Sequence, residues 1–576
     1  MLENYGKVLE ADVLVIGHGI AGLSAAISVK EENPDLKVIT VDKAFAGYAG
    51  KANKGGGHVA FIPEGEEEKY VEYHSRNLGD YLNDQDMLRK YANSTVKTIK
   101  RWESWGVRFT VDMEHAQNAH PVIPWKMCIL DLDMMIHMAK HARKLGVESC
   151  SKISVMELLK DGNRIAGAAG IDLISGELMI FSAKSVILAS GDQNFSVMNM
   201  WSSGKGDGIA AAYRAGARMR NAEFGSFVNM MTLSSRTVAY GAEDVLVNAS
   251  GELCTERADM DESLKTVVGG VDLGGMQSVL MYMDVKAGKG PIYEDTSKNG
   301  FPGSFIGRNL CCYGGDADPP FYRPVAQKFW NRLYYKNRLE SYRDDNPLKE
   351  TVPGLIGECS PLYADHEMAT SIEGLYAAGD ICANGSSWSG AVPTPPGRNR
   401  GSGLMHAVFT ATVAAASASK YAEESGFGII EKDDIEHIRK TIFSSLESKG
   451  DISPSEYMMR IKEVMQPIEY SGYKSEDRLR EALRKILEIK EDITRLRAAD
   501  PHELNAVNEC RSTILCSEMF FRASIERKES RGWHLREDYK ERDDKNYLKW
   551  IEIANNNGNM VISEIPVPIE SYTYRP

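Results

Sequence analysis

The chain has nine cysteines among 576 residues, at positions 128, 150, 254, 311, 312, 359, 382, 510 and 516, and no C-x-x-C pair. Scattered thiols of this kind suit a reduced, cytoplasmic protein. They also exclude an iron–sulfur cluster ligated by this chain, and no metal site is assigned. The adjacent Cys311 and Cys312 read as ordinary loop thiols. There is no excess of positive charge. The net charge of −13 argues against nucleic acid or an anionic membrane surface as the main partner. No apolar run approaches the ~20 residues that span a bilayer. The opening M-L-E-N-Y-G-K lacks the basic-then-apolar pattern of a secretory leader, so a cytoplasmic location is expected. Repeats and low-complexity tracts are absent, which excludes solenoids and linker-like proteins. What remains is ordinary globular composition, 43% hydrophobic and 26% charged, at a length that implies two to four domains.

Against that background one stretch stands out, A-D-V-L-V-I-G-H-G-I-A-G followed by K-V-I-T-V-D-K. Asp12–Ile16 reads as a buried parallel strand. Gly17, Gly19 and Gly22 have G-x-G-x-x-G spacing, and an Ala-rich helix is expected over about 20–31. Gly17 permits a tight turn, Gly19 lets a pyrophosphate approach the backbone, and Gly22 lets helix pack on strand. Ile20 and Ala21 open the helix, whose N-terminus offers free N–H groups and partial positive charge to phosphates. Asp42 stands 20 residues beyond Gly22, where a carboxylate can bind a ribose. A bound dinucleotide follows; this stretch leaves FAD and NAD both open.

Phe45–His58 is a second Gly-rich stretch whose backbone suits a flat ligand. Helices are expected within 66–105, stopped by Gly106, and His115, His120 and Trp125 form a loop that could line a pocket. Asp161-Gly162 and Ser175-Gly176 mark hairpin turns of a small antiparallel meander, which ends in the strand K-S-V-I-L-A-S-G-D. The irregular, aromatic stretch 232–345 reads as a separate domain over the cofactor, and an inter-domain cleft of that kind is a favoured substrate site. E-G-L-Y-A-A-G-D, a Gly/Ser/Pro-rich loop and an Ala-rich helix from Leu404 repeat the strand–loop–helix pattern, so a distant segment completes the dinucleotide domain. Residues 431–522 have helical spacing and read as an antiparallel bundle.

The Gly17/Gly19/Gly22 fingerprint, V-I-L-A-S-G at Val186–Gly191, G-D-G at Gly206–Gly208, G-L-Y-A-A-G-D at Gly374–Asp380 and R-K-E-S-R-G-W-H-L-R-E-D-Y near the end occur in the order found in flavoproteins resembling fumarate reductase and succinate dehydrogenase. The adenylylsulfate reductase α subunit is similar in outline. The resemblance covers essentially the whole chain and implies FAD. It also implies an α/β fold: a split Rossmann-like FAD-binding domain (1–231 and 346–430), an inserted α+β capping domain (232–345) and a C-terminal helical domain with an extended tail (431–576). Residue by residue, it implies that Gly17, Gly19, Gly22 and Asp42 bind the ADP half, and that Lys43, Gly55 and Gly56 flank the flavin. Ser190, Gly191 and Asp207 match the next two motifs, and Gly379 and Asp380 meet the ribityl chain and pyrophosphate. Ser402 and Leu404 open the second ligand-facing helix. Arg400, in R-N-R-G-S-G, resembles the arginine that grips a substrate carboxylate, a task for which a guanidinium fork is suited.

The chain also departs from the family's pattern. Membrane-bound members attach FAD through a histidine, whose place here falls near Ala49, so non-covalent FAD is expected; His58 is not the equivalent. Dicarboxylate reductases carry an arginine proton donor on a cap helix that here reads L-G-G-M-Q-S-V-L-M-Y-M-D-V-K and has none. Met276, Met281 and Met283 suggest an apolar face there. The family's substrate histidine has no clear counterpart, Cys359 and His366 being the nearest candidates. The expected function is two-electron transfer between flavin N5 and a small anionic substrate. Arg400 binds the anion, and His366, His120 or a tyrosine handles the proton. Electrons are exchanged with a ferredoxin-like iron–sulfur subunit in a hetero-oligomer. Adenylylsulfate reduction, with Trp125, Trp201 or Trp388 stacking on the nucleotide, and fumarate or enoate reduction are the enzymatic alternatives. An FAD-binding electron-transfer subunit without turnover is the non-enzymatic one.

Overall fold

The computed structural model describes residues 2–54, 57–118, 125–131, 133–197, 204–232, 237–238, 246–253, 275–295, 348–383 and 402–576. Its central sheet is built on Lys7–Ile16 (β1), followed by helix Ile20–Glu32 (α1) and strand Val38–Asp42 (β2). Helix Gln85–Ser104 (α2) comes next, N-capped by Asp84, whose carboxylate accepts from the Asp86 and Met87 amides. Strands Glu148–Ser151 (β3), Ile153–Asp161 (β4), Arg164–Asp172 (β5) and Leu178–Leu188 (β6) follow, then helix Asp207–Arg214 (α3). Strand Leu375–Ala377 (β7) and helix Ser402–Glu424 (α4) return from the far part of the chain, and Pro501–Glu526 (α5) is the longest helix among the described residues.

The sheet order is β3-β2-β1-β6-β5-β4, parallel from β3 to β6. One edge of β6 serves two partners. Its start, Leu178–Ser182, pairs antiparallel with β5, and its end, Val186–Leu188, pairs parallel with β7. The meander expected from Asp161-Gly162 and Ser175-Gly176 is therefore grafted onto the parallel core, and both turn glycines have positive φ. Helix α1 is buried from Ile20 to Val29, as befits a helix covered by the sheet on one side and by α4 on the other. Small residues on α4 (Ala411, Ala414, Ala415, Ala418) are fully buried and allow that approach. Arg101 of α2 ties the layers by donating to Glu31, Ser28 and Thr412.

Strands Ser226–Thr232 and Leu348–Gly357 form the centre of a second, antiparallel sheet with Thr237–Val238, Ile292–Asp295 and Leu246–Val247, on which helix Gly275–Lys286 packs. These two central strands lead out of the dinucleotide fold and back into it, so the sheet begins and ends outside 232–345. Their sequences, S-F-V-N-M-M-T and L-K-E-T-V-P-G-L-I-G, lack the clean alternation that would have shown this.

Helices Lys432–Phe443, Pro454–Met465, Glu476–Glu491 and α5 make up the C-terminal bundle. Beyond it the chain is more ordered than the extended tail expected. Lys549–Asn556 and Asn559–Pro566 form a hairpin around Asn557 (φ 51°) and Gly558 (φ 87°), the residue pair that a primed two-residue turn requires. Its first strand pairs with Met219–Arg220 and so joins the tail to the first half of the chain. Among the described residues no helix is long and apolar enough to cross a membrane.

Candidate active site

The carboxyl ends of β1, β2, β6 and β7 meet along one edge, where ligands bind in open α/β sheets. Backbone bonds stitch the strand exits together. The Gly17 amide donates to the Val41 carbonyl, the Ala189 amide to Ile16 and the Ala378 amide to Leu188, each at 2.8 Å. This fixes three successive loops against one another, and each of them carries a predicted motif.

Steric demands explain the glycines. A Cβ on Gly22 would lie 1.8 Å from the Gly17 carbonyl oxygen, and one on Gly17, at φ 123°, would lie 2.3 Å from the Ala189 carbonyl oxygen. Gly19 caps α1 with no side-chain hydrogen bond, which leaves the helix start open to an anion. Gly50, in the loop after β2, comes back onto this turn, its own Cβ position 3.0 Å from the Gly19 Cα. Gly379 seats against the side chain of Ala21, and its amide donates to Thr410 Oγ1 of α4. Thus Gly17, Gly19, Ile20, Ala21, Gly22 and Gly379 are brought together. Asp42 accepts from the His18 amide at 2.6 Å and the Ala44 amide at 2.7 Å, one on each oxygen, which leaves acceptor capacity for ribose hydroxyls. Ser190 Oγ and His18 Nε2 are buried at this edge with no hydrogen-bond partner among the described residues, as befits groups that face a polar ligand. The residues present therefore fit a dinucleotide. The G-D-G motif serves the same edge, since a Cβ on Gly208 would meet Ser190 Oγ at 2.1 Å.

Lys43 and Asp207 pair with each other. The Lys43 ammonium also reaches Glu509 of α5 at 2.9 Å, and Asn508 donates to Asp207 at 3.2 Å. Burial works against the Lys43 charge, but the two carboxylates outweigh it and hold the group above the usual lysine value. These two predicted cofactor residues thus also clasp the helical domain to the cradle.

The most concentrated charge at this edge joins the predicted Asp380 to three residues that the sequence reading did not select, Lys51, Asp192 and Glu358. Lys51 Nζ lies 2.6 Å from Asp192, 3.0 Å from Glu358 and 3.7 Å from Asp380. Asp192 and Glu358 are fully buried. Burial raises the Asp192 carboxyl, Lys51 pulls it back down, and Asp380 and Glu358 raise it again, to about 7. The available signal was the Asp that follows Ser190-Gly191 and the Lys that follows Gly50, each next to a motif glycine.

Other candidates fall elsewhere. His366 Nε2 pairs with Asp84 at 2.7 Å in a cleft of about 400 Å³. That cleft is also lined by Arg220, which donates to Glu552 and stacks on Tyr363 and Trp550. No described hydrogen bond or ion pair joins His366 to the Lys51 cluster, because Asp84 at the start of α2 takes up its ring. His115 is exposed in a turn with Asp112, and Trp125 is buried beside Tyr70 as core. On the cap helix Met281 is buried and Met283 exposed, so the two do not share one pocket-facing surface. Leu404 is half-buried near the start of α4, which begins at Ser402. Gly191 has positive φ where the chain leaves β6. Gly55, Gly56, His120 and Arg400, with Met276 apart from its helical backbone, Trp201, Trp388, Cys311 and Cys312, lie outside the described residues or their described side chains.

The C-terminal motif is a buried ionic knot. Glu529 accepts from Arg527 Nη1 (2.8 Å), Arg531 Nε (2.7 Å) and Nη2 (2.9 Å) and the Asp543 amide (2.8 Å), while Arg527 also binds Glu223 at 2.8 Å. Lys474 donates to the Glu223 carbonyl and contacts His534 at 3.1 Å; burial lowers its ammonium to about 7. The motif thus fastens the tail to the segment that leads into the second sheet.

A dinucleotide cradle of this shape, with a second sheet inserted between β6 and β7, defines an α/β dinucleotide-binding protein of the split Rossmann type. The family described as FAD binding domain matches residues 12–239, and the one described as Fumarate reductase flavoprotein C-term matches 459–576. The 8-methylmenaquinol:fumarate reductase flavoprotein subunit of Wolinella succinogenes is 26% identical, over 97% of this chain and 90% of that protein. The fumarate reductase flavoprotein subunit of Haemophilus influenzae is 24% identical, over 98% and 95%. Among solved structures, quinol fumarate reductase of E. coli superposes with a TM-score of 0.80 at 19% identity, covering 99% of this chain and 98% of that one. Adenylylsulfate reductase of Archaeoglobus fulgidus does so with 0.78 at 20%, covering 97% and 96%. The chain thus joins an FAD binding domain to a fumarate reductase flavoprotein C-terminal domain, is similar along nearly its whole length to fumarate reductase flavoprotein subunits, and is an FAD-dependent oxidoreductase.

Proposed function

We propose that the chain is the FAD-carrying subunit of a reductase complex that exchanges two electrons between flavin and a small anionic substrate. Its electron partner is a ferredoxin-like iron–sulfur subunit, since this chain has no C-x-x-C cysteines. The observation that carries the reading is the convergence at one sheet edge of the Gly17 turn, Ser190, Gly379-Asp380 and the start of α4, two residues beyond Arg400 in the chain. When bound, FAD supplies the electron transfer at N5. The chain's residues hold and orient it: the start of α1 binds the pyrophosphate, Asp42 the ribose, Asp380 the ribityl chain. Arg400 grips the substrate anion with its two-pronged donor set. The second sheet, fed by Ser226–Thr232 and Leu348–Gly357, covers the cleft and excludes water.

The cap helix Gly275–Lys286 has no arginine, and this favours an anion other than fumarate, adenylylsulfate being the second reading. The dithionite-reduced protein, mixed in turn with fumarate, related enoates and adenylylsulfate, should be reoxidised by one of them. Replacement Arg400→Ala should then lower kcat/KM by roughly 10–100-fold, the loss of one charge-assisted contact. Full activity of that variant would remove the anchor role. Ala49, where covalent members carry histidine, is a buried methyl with no atom to bond the flavin. Acid precipitation should therefore release all the FAD into the supernatant; yellow colour retained in the pellet contradicts non-covalent binding.

A further inference from the structure

Three of the segments that line the cradle each contribute one charged group to the cluster around Lys51. Lys51 follows Gly50 of the loop lying on Gly19, Asp192 follows Ser190-Gly191, and Asp380 follows Gly379. The fourth, Glu358, comes directly after the last strand of the second sheet. Three carboxylates face one ammonium, so two negative charges stay unbalanced if all four groups ionise, in a place where burying charge is costly. Asp192 is the most enclosed member, at 0% exposure. Its Oδ2 binds Lys51, whereas its Oδ1 is buried with no hydrogen-bond partner among the described residues. The wall closes on that oxygen, since a Cβ on Gly204 would lie 2.1 Å from it. Oδ1 is therefore the oxygen not engaged by Lys51, and so the one available to take a proton. The groups that face Asp192 are Lys51 from the loop, Asp380 from the β7 exit, and Glu358 and the Cys359 thiol from the returning strand. Burial keeps that thiol protonated.

We propose that the Lys51–Asp192–Glu358–Asp380 cluster is a proton store for the flavin, binding one proton at Asp192 Oδ1 for each flavin reduced. This rests on the reading of the cradle as the flavin site. On reduction the two-electron donor gives two electrons, one proton enters the flavin, and one further proton passes from water to Asp192. On reoxidation the two electrons leave to the acceptor, the flavin gives up its proton with them, and Asp192 returns its own proton to water. The cause is electrostatic, because negative charge added beside the cluster favours the neutral carboxyl. The pH window follows from the oxidised state. Below about 7 Asp192 already holds its proton in both redox states, so the extra uptake begins above that value.

The test is a spectroelectrochemical titration of the FAD-loaded full chain between pH 7 and 9, reading the slope of the midpoint potential against pH. The wild type should take up two protons per two electrons and the Asp192→Asn variant one. Glu358→Gln, which removes a neighbouring negative charge, should move the two-proton window to lower pH. A purely structural role for Asp192 would leave the slope unchanged. One proton per two electrons in the wild type, or two in Asp192→Asn, overturns the store and leaves the oxidoreductase reading standing. If the asparagine variant does not fold, the wild-type slope and Glu358→Gln decide. A wild-type chain that fails to bind FAD overturns both.

Discussion

Replacing Glu529 by alanine should cost about 3–5 kcal/mol of stability, the usual consequence of leaving buried charge uncompensated. Glu529 is 0% exposed and its two oxygens accept four hydrogen bonds, which fills their capacity. Without it Arg527 keeps Glu223 and Arg531 keeps Asp544, but two guanidiniums then face each other across an empty site, far from water. Urea unfolding should show the loss, together with early proteolytic cleavage in the Arg527–Tyr547 segment. Arg484→Ala, which breaks the exposed Arg484–Glu488 pair, should change stability by no more than about 0.5 kcal/mol. If Glu529→Ala cost less than about 1 kcal/mol, the knot would not be what secures the tail.

The second large effect concerns the cofactor. Gly22 has ordinary helical backbone, so only space forbids a side chain there, and the obstacle is the Gly17 backbone itself at 1.8 Å. Gly22→Ala must push α1 away from the turn by about an ångström, and a misplacement of that size costs roughly 100-fold where geometry decides binding. The FAD affinity of the apoprotein, measured by titration, should fall by at least about that factor, and the variant should purify nearly colourless. Ser24→Ala on the same helix removes a buried hydroxyl that has no hydrogen-bond partner among the described residues and should keep its flavin. A yellow Gly22→Ala protein with unchanged affinity would contradict the close-packed cradle.

What could be read from the sequence was what is local. β1, the turn, α1 and β2 lie within 36 consecutive residues, and their apolar runs, glycine spacing and acidic tip are all short-range signals. The Asn557-Gly558 hairpin is equally local, but it sits in the run N-N-N-G-N, whose repeated asparagines blur the turn signal and read as an extended tail. The Lys51 cluster could not be read in this way. Lys51 and Asp192 are 141 residues apart and Lys51 and Glu358 are 307 apart, so only the folded sheet edge joins them. His366 shows the converse. Its proximity in sequence to β7 suggested a place at the flavin, whereas Asp84, 282 residues away, draws it into another cleft. The C-terminal motif was recognisable as a signature, but its role as a buried knot depends on Glu223, 304 residues before Arg527.

The stitched sheet edge has a consequence for biosynthesis. A ribosome that has released the first 190 or so residues has made the Gly17 turn and the Ser190 wall, since β1 and β6 can pair by then. The wall formed by Gly379 and α4 comes almost two hundred residues later, and the Arg527 knot that anchors the intervening sheet comes later still. Contacts of such long sequence separation form late and slowly. Cofactor capture is thus an event of the completed chain rather than of the nascent one, and until then the apolar wall of α1 that α4 will cover is exposed to other proteins in the cell.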